Sequence, residues 1–334
     1  MARQPWSPSL RTIGLTFTWS VVTLSTLWAL AALYIDIRIP ALRIPLTLLY
    51  ALAIAAVLAR CKRRAAWCLA GFCMVLAWWL SLKPSNVGAW QPNTNRAAWA
   101  EFSGDRVTIH NVRNCDYQTE LDYTNCFSDR TVHLSQIRAV DMFFINWGVR
   151  WMDHTIASFQ FGDQEHIAFS VEPRYRTGQS YSPMLGFFRQ YELVFVAADE
   201  RDVIRLRTNY RKDEQVYLYR MRATPSEARG LFLTYLNYLN RLRDHPEWYN
   251  TLMRNCTTTM STKIVGDMSK LQPWYFRFRW NGSLDEMLYS RGHLVTGGLR
   301  FPELKQRAHI NAAARGTNQS PDFSALIRVG RVGF

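Results

Sequence analysis

The sequence predicts an α+β protein in two parts: three N-terminal transmembrane helices, then a domain built on a mainly antiparallel sheet. Three observations carry this prediction. Three apolar runs open the chain, each long enough to cross the roughly 30 Å hydrocarbon core of a bilayer as a helix. Stretches with the two-residue alternation of strands then recur between residues 106 and 221. At Thr224 the pattern turns helical, and strands followed by helices, rather than alternating with them, argue for α+β.

The first run, about 12–35, carries no charge and exceeds the roughly 7–15 apolar residues of a signal peptide. The second, about 41–59, has Arg43 near its start, where a long side chain can snorkel. The third, about 65–82, ends in AWWLSL, an aromatic belt suited to a membrane interface. Arg60, Lys62, Arg63 and Arg64 lie between the second and third runs, and Arg3 and Arg11 precede the first. The positive-inside rule puts both basic clusters in the cytoplasm, so the path runs in, out, in, out. Residues 83–334 are then expected outside the cytoplasm, in the periplasm of a multi-pass inner-membrane protein.

Net charge is +14 over 334 residues, half of it from residues 1–82. Such an excess suits anionic lipid headgroups. Nucleic acid is not expected as a partner, because no basic block interleaved with stacking aromatics resembles a binding module.

Residues 83–104 read as a linker and entry segment, and residues 105–300 as the extracytoplasmic domain. Strands are expected at Arg106–Arg113, within His133–Trp147, at His154–Phe161 and His166–Glu172 around a Gly162-Asp163 turn, at Tyr191–Val196 and at Val216–Met221. Thr224-Pro225-Ser226-Glu227 is a capping box with proline at the first helical position. Leu231, Tyr235, Leu239 and Leu242 form the apolar face of the helix that follows. A second helix is expected to start at Asn255 and stop at Gly266. Residues 273–280 mix aromatics with arginines, suiting either a membrane interface or a sheet-packing strand, and 301–334 read as a polar, basic tail.

Cys115 and Cys126 flank a polar stretch between strand-like runs, so a disulfide is plausible in an oxidising compartment. That pairing leaves Cys256 odd among the outer cysteines. A thiol in the first turn of a helix meets unpaired N–H groups and the helix dipole, which lower its pKa and can stabilise an oxyanion. The bland alternative is a buried, inert cysteine. His154, at the start of a strand, is the candidate base. Strand alternation puts His166, Ala168, Ser170 and Glu172 on one face, so Glu172 or Ser170 can orient His154, with Glu172 preferred. Asp153 adjoins His154, but a strand is expected to point it away from the imidazole. No metal-ligand spacing, phosphate loop or GxSxG elbow occurs, and no metal or cofactor is expected.

The order of histidine, polar strand residue and helical cysteine resembles circularly permuted papain-like enzymes. A closer resemblance runs through residues 88–299. It rests on His110-Asn111-Val112-Arg113, Trp147-Gly148, Tyr181-Ser182-Pro183, Phe188-Arg189-Gln190-Tyr191-Glu192-Leu193, Arg207-Thr208-Asn209, Trp248-Tyr249-Asn250-Thr251, Asn255-Cys256-Thr257-Thr258 and Asp285-Glu286-Met287-Leu288-Tyr289. Together these strings resemble the periplasmic domain of Lnb, the lipoprotein N-acylation transacylase. The resemblance implies an acyl shift on a lipid or lipoprotein substrate, with Cys256 carrying the chain as a thioester and His154 as base. Asn255, Arg254, Tyr181 and Arg189 are the expected substrate contacts. A thiol amidase or peptidase acting on wall peptides, and an inactive binding module, are the competing expectations.

Overall fold

The computed structural model describes residues 10–124, 127–148, 153–255, 284–318 and 320–334. Cys126, Cys256, the expected helix after Asn255 and the 273–280 stretch lie outside the described residues. The chain divides into two units, residues 1–84 with 182–190, and residues 85–181 with 191–334.

The first unit is the helical one. Helices α1 (Leu10–Asp36), α2 (Pro40–Arg60) and α3 (Arg64–Ser81) fall on the three predicted runs, and each is long and apolar enough to cross a membrane. Most of their large side chains face outward: Phe17, Leu24, Leu27, Leu49, Leu52 and Met74 are all exposed, as lipid-facing residues are. Ala29 and Ala32 are fully buried, small residues that let helices approach closely. Asp36, the lone acid of the first 82 residues, ends α1. Its carboxylate accepts from Trp79 Nε1 at 2.7 Å, from Gln190 Nε2 at 2.7 Å and from the Arg189 backbone N at 3.1 Å. Phe188 packs into the core of the same unit, so Ser182–Gln190 is held there by one buried charge and one aromatic ring.

In the second unit the strands are β1 (Trp99–Ser103), β2 (Arg106–Arg113), β3 (Asp116–Tyr117), β4 (Tyr123–Thr124), β5 (Phe127–His133), β6 (Ile137–Asn146), β7 (Asp153–Phe161), β8 (Glu165–Arg174), β9 (Glu192–Ala198) and β10 (Gln215–Arg220). Eight of them form one sheet in the order β1-β2-β9-β8-β7-β6-β10, with β5 also pairing β2, while β3 and β4 pair separately. Every pairing in the large sheet is antiparallel except the single parallel contact Arg113↔Ala198 between β2 and β9. The predicted α+β class with a mainly antiparallel sheet therefore stands. The sequence reading passed over β1, β3 and β4 and gave no bounds to the strand-like run after Cys126, which is β5; β1 lies inside the stretch read as a linker, where Trp90, Ala98 and Ala100 are buried.

The sheet is covered on both faces. One face presents Phe159, Phe161, Phe169 and Phe195 to helix α5 (Pro225–Asp244). Thr224 and Glu227 make the reciprocal capping box, and Tyr235, Leu239 and Leu242 are buried as predicted. The buried stripe includes Phe232 and Leu236, whereas Leu231 is only half-buried. Phe232 meets Phe159 and Phe161 edge-to-face at 5.1 and 5.2 Å between centroids. Replacing Phe232 with alanine is expected to cost about 3–5 kcal/mol, read as a lower urea midpoint.

The other face is covered by residues read from sequence as a polar tail. Helices Asn311–Gly316 and Phe323–Leu326 form there, and Ile310, Ala314, Phe323 and Ile327 pack on Phe143, Ile156, Val196 and Leu218, while helix Phe301–Ala308 meets β10 at Tyr217, whose ring lies 4.8 Å from Lys305 Nζ. Arg328 enters the same layer and pairs with Asp141 at 2.8 Å and Glu200 at 2.7 Å, both fully buried. Each short helix contributes only one or two apolar residues, so no window of sequence shows the periodicity that marks a core element.

Candidate active site

The β7–β8 hairpin builds the site. Its register pairs Ile156 with Ser170 and Ser158 with Ala168, so two residues further toward the open end His154 comes opposite Glu172. Alternation then puts His154, Ser170 and Glu172 on one face. His154 Nε2 lies 2.8 Å from Ser170 Oγ, and Ser170 Oγ donates to Glu172 Oε1 at 3.0 Å. His154 and Glu172 are 4.0 Å apart, so their contact runs through the serine.

The proton count fixes the imidazole. Burial works against charge on Glu172, but Arg207, then Arg113 and His154, hold its carboxyl down at about 2. Glu172 is thus an acceptor only and takes the one proton Ser170 has. Ser170 must then accept from His154 Nε2–H, which leaves Nδ1 with the lone pair. Burial first, and the Arg207 guanidinium second, push His154 down to about 3, with Glu172 acting in the opposite sense. The ring is therefore neutral at pH 7 and offers a bare Nδ1.

Arg207 comes from a π-helical turn, Leu206–Tyr210, directly after helix α4 (Glu200–Arg205). Its Nη2 reaches Glu172 at 3.4 Å and its Nη1 reaches Glu214 at 3.1 Å. Arg211 then bridges Glu214 at 3.5 Å and Glu120 at 2.9 Å, extending a row of alternating charges. Trp147 donates through Nε1 to Glu214 at 2.8 Å and holds its ring 6.4 Å from that of His154.

These residues line a cavity of about 750 Å³ together with Tyr175, Tyr181, Tyr249, Leu206 and Asn255. Of the residues expected from sequence, His154, Glu172, Tyr181 and Asn255 share this lining, and Ser170 stands directly behind His154 and Glu172. Asn255 donates its side-chain amide to Thr251 O at 2.6 Å; the helix it was expected to cap lies outside the described residues. Arg254 is not in the lining: more than half exposed, it pairs with Glu247 at 3.1 Å. Arg189 belongs to the helical unit, where its guanidinium lies 4.1 Å from the centroid of Trp79. Cys115 is fully buried, and its expected partner Cys126 lies outside the described residues, as does Cys256.

Sequence reasoning missed Arg207, Arg211, Glu214 and Trp147 as site residues. Arg207 and Trp147 sit in strings that carry the family resemblance, but a π-helical turn has no local sequence signal that aims an arginine at a carboxylate. Asp153, read as pointing away from His154, lies on the opposite face of β7, where its carboxylate accepts from Asn146 at 2.7 Å, and is also among the residues bordering the cavity.

No curated protein and no solved structure matches the chain. Residues 123–270 match the family model described as the Lnb N-terminal periplasmic domain. The matched stretch starts at β4 and continues past the end of α5 to residue 270, and so contains His154, Ser170, Glu172, Arg207 and, in sequence, Cys256. In the region that builds the candidate site, this chain resembles the Lnb N-terminal periplasmic domain.

Proposed function

We propose that the protein is a multi-pass inner-membrane acyltransferase whose periplasmic domain moves an acyl chain through a thioester on Cys256. One observation carries this reading. His154, whose Nε2 is engaged by Ser170 so that Nδ1 keeps the lone pair, lines a cavity whose lining also includes Asn255, the residue directly before Cys256 in the chain. Three apolar helices and a likeness to a periplasmic domain support the location, and the two basic clusters flanking those helices support the orientation.

Because burial and Arg207 disfavour the imidazolium, the pair rests as thiol and neutral imidazole. As sulfur attacks the carbonyl carbon of an acyl ester, Nδ1 takes the thiol proton. The tetrahedral adduct collapses with cleavage of the C–O bond, and His154 returns the proton to the departing alkoxide. An amine then attacks the thioester, the C–S bond breaks, and the chain passes to nitrogen. Following the family resemblance, donor and acceptor are the diacylglyceryl group and α-amine of a lipidated cysteine. Glu172 acts as a positioning residue through Ser170, keeping the proton on Nε2.

The full-length protein, reconstituted in liposomes with a synthetic diacylglyceryl-cysteinyl peptide, is expected to gain one acyl mass on the tryptic peptide holding Cys256. Cys256→Ala is expected to gain none and to lose transfer entirely. Transfer persisting in that variant, or an absence of adduct in the wild type when transfer proceeds, would refute the thioester. Release of wall-peptide fragments in place of acyl transfer would point to an amidase.

A further inference from the structure

We infer that Ser182–Gln190 is inserted into the membrane: it enters the leaflet that holds the C-terminal ends of α1 and α3 and presents Met184 and Phe187 to lipid acyl chains. The inference rests on α1–α3 crossing a bilayer and is independent of the acyl-transfer reading.

Depth comes first. The apolar window of α1, Thr12–Asp36, has 25 residues. At 1.5 Å per residue it is about 37 Å long, roughly 7 Å more than the hydrocarbon core. Trp28 lies eight residues, or about 12 Å, before Asp36. Even with the whole surplus projecting beyond the Asp36 end, Trp28 stays about 5 Å inside the core. Its side chain leans further inward, toward the helix N-terminus. Phe188 stacks on that indole, with ring centroids 6.5 Å apart and planes at 22°.

Composition and backbone agree. The segment reads SPMLGFFRQ, with four large apolar residues and one charge. That charge, Arg189, sits 4.1 Å from the Trp79 centroid near the end of α3, where an arginine can snorkel to the headgroups. Lipid offers the backbone no hydrogen bond, so a segment entering it must pair its own donors. Leu185 N–H donates to Ser182 Oγ at 3.4 Å, Gly186 to Ser182 O at 3.1 Å and Phe187 to Met184 O at 3.2 Å. Phe188 donates to Leu185 O at 3.0 Å and Arg189 to Asp36 Oδ1 at 3.1 Å. All five consecutive donors are paired, while Met184 and Phe187 point outward, 65% and 37% exposed. A closed turn with apolar side chains outside is the form an interfacial insertion needs.

Its place in the chain gives the insertion a use. Gln179, Ser180 and Tyr181 line the cavity, and Ser182 follows directly. The cavity wall therefore continues without a break into the lipid-facing turn.

Three methionines of nearly equal exposure supply a test that needs no substitution: Met74 in α3 at 68%, Met184 at 65%, and Met253 in the second unit at 68%. Full-length protein in liposomes of phosphatidylethanolamine and phosphatidylglycerol is treated with a charged, water-soluble chloramine. Sulfoxide formation is then followed peptide by peptide by mass spectrometry. Met253 is expected to oxidise, and Met184 to be spared like Met74. Oxidation of Met184 as fast as Met253 would overturn the insertion. The occupant is identified with Phe187→p-benzoylphenylalanine, and with the same change at the more exposed Met184. Irradiation in those liposomes is expected to add one phospholipid mass, bonded at an acyl carbon. A spared Met184 without a lipid adduct, or adducts confined to the headgroup, would mean that something other than acyl chains covers this turn, and would overturn the inference too.

Discussion

Alanine in place of His154 is expected to slow acylation of Cys256 by about 10²–10⁴-fold. The loss should lie in the chemical step, because the variant removes the proton acceptor without touching the tyrosines that line the cavity. Single-turnover loading, followed by mass spectrometry, measures it directly. A second reading comes from stability. His154 titrates near 6.5 in the unfolded chain and at about 3 when folded. As pH falls below 6.5 the unfolded state binds a proton that the folded site refuses, so the wild type loses stability down to about pH 3. The variant lacks this contribution, so its stability should fall less steeply over the same window in urea titrations. Acylation at the wild-type rate in H154A would remove the imidazole from the mechanism.

A large effect on stability is expected from Arg328→Met. The guanidinium lies between two fully buried carboxylates, Asp141 and Glu200, and donates to both. Arg220 also reaches Asp141, whereas Glu200 keeps, among the described residues, the Ser158 hydroxyl at 2.6 Å and the neighbouring His166. Removing one side of a buried ion pair typically costs about 3–5 kcal/mol, because the remaining charge has neither water nor a counterion. The pH dependence follows. Burial opposes ionisation of Glu200, but Arg328 holds its carboxyl at about 2, against 4.5 when exposed. That stability is present above pH 4.5 and is lost as pH falls toward 2. The gap between wild type and R328M in chemical denaturation should therefore be widest at neutral pH and narrow in acid. An equal gap at both would mean that lost packing, not charge, sets the cost.

The legible parts of this fold were those written in local pattern. Long apolar runs marked the three helices, a capping box marked α5, and alternation marked β2, β7 and β8 almost to the residue. The same alternation aligned His154 with Ser170 and Glu172, because a hairpin with a short turn leaves few registers. What stayed hidden depended on distant partners. Arg328 has meaning only beside Asp141 and Glu200, far away in sequence, and Arg207 only beside Glu172 and Glu214.

The clasp at Asp36 bears on how this molecule can be taken apart. The polypeptide visits the helical unit twice, once at its beginning and again for the nine residues Ser182–Gln190. Severing it after Pro84 would not liberate a self-sufficient soluble half. It would strand a short excursion whose aspartate, tryptophan and aromatic socket have been thrown away, leaving Phe188 bare and the Gln190 amide unsatisfied. Any soluble fragment meant for crystals or assays should shorten or replace that excursion, or keep the first helices attached.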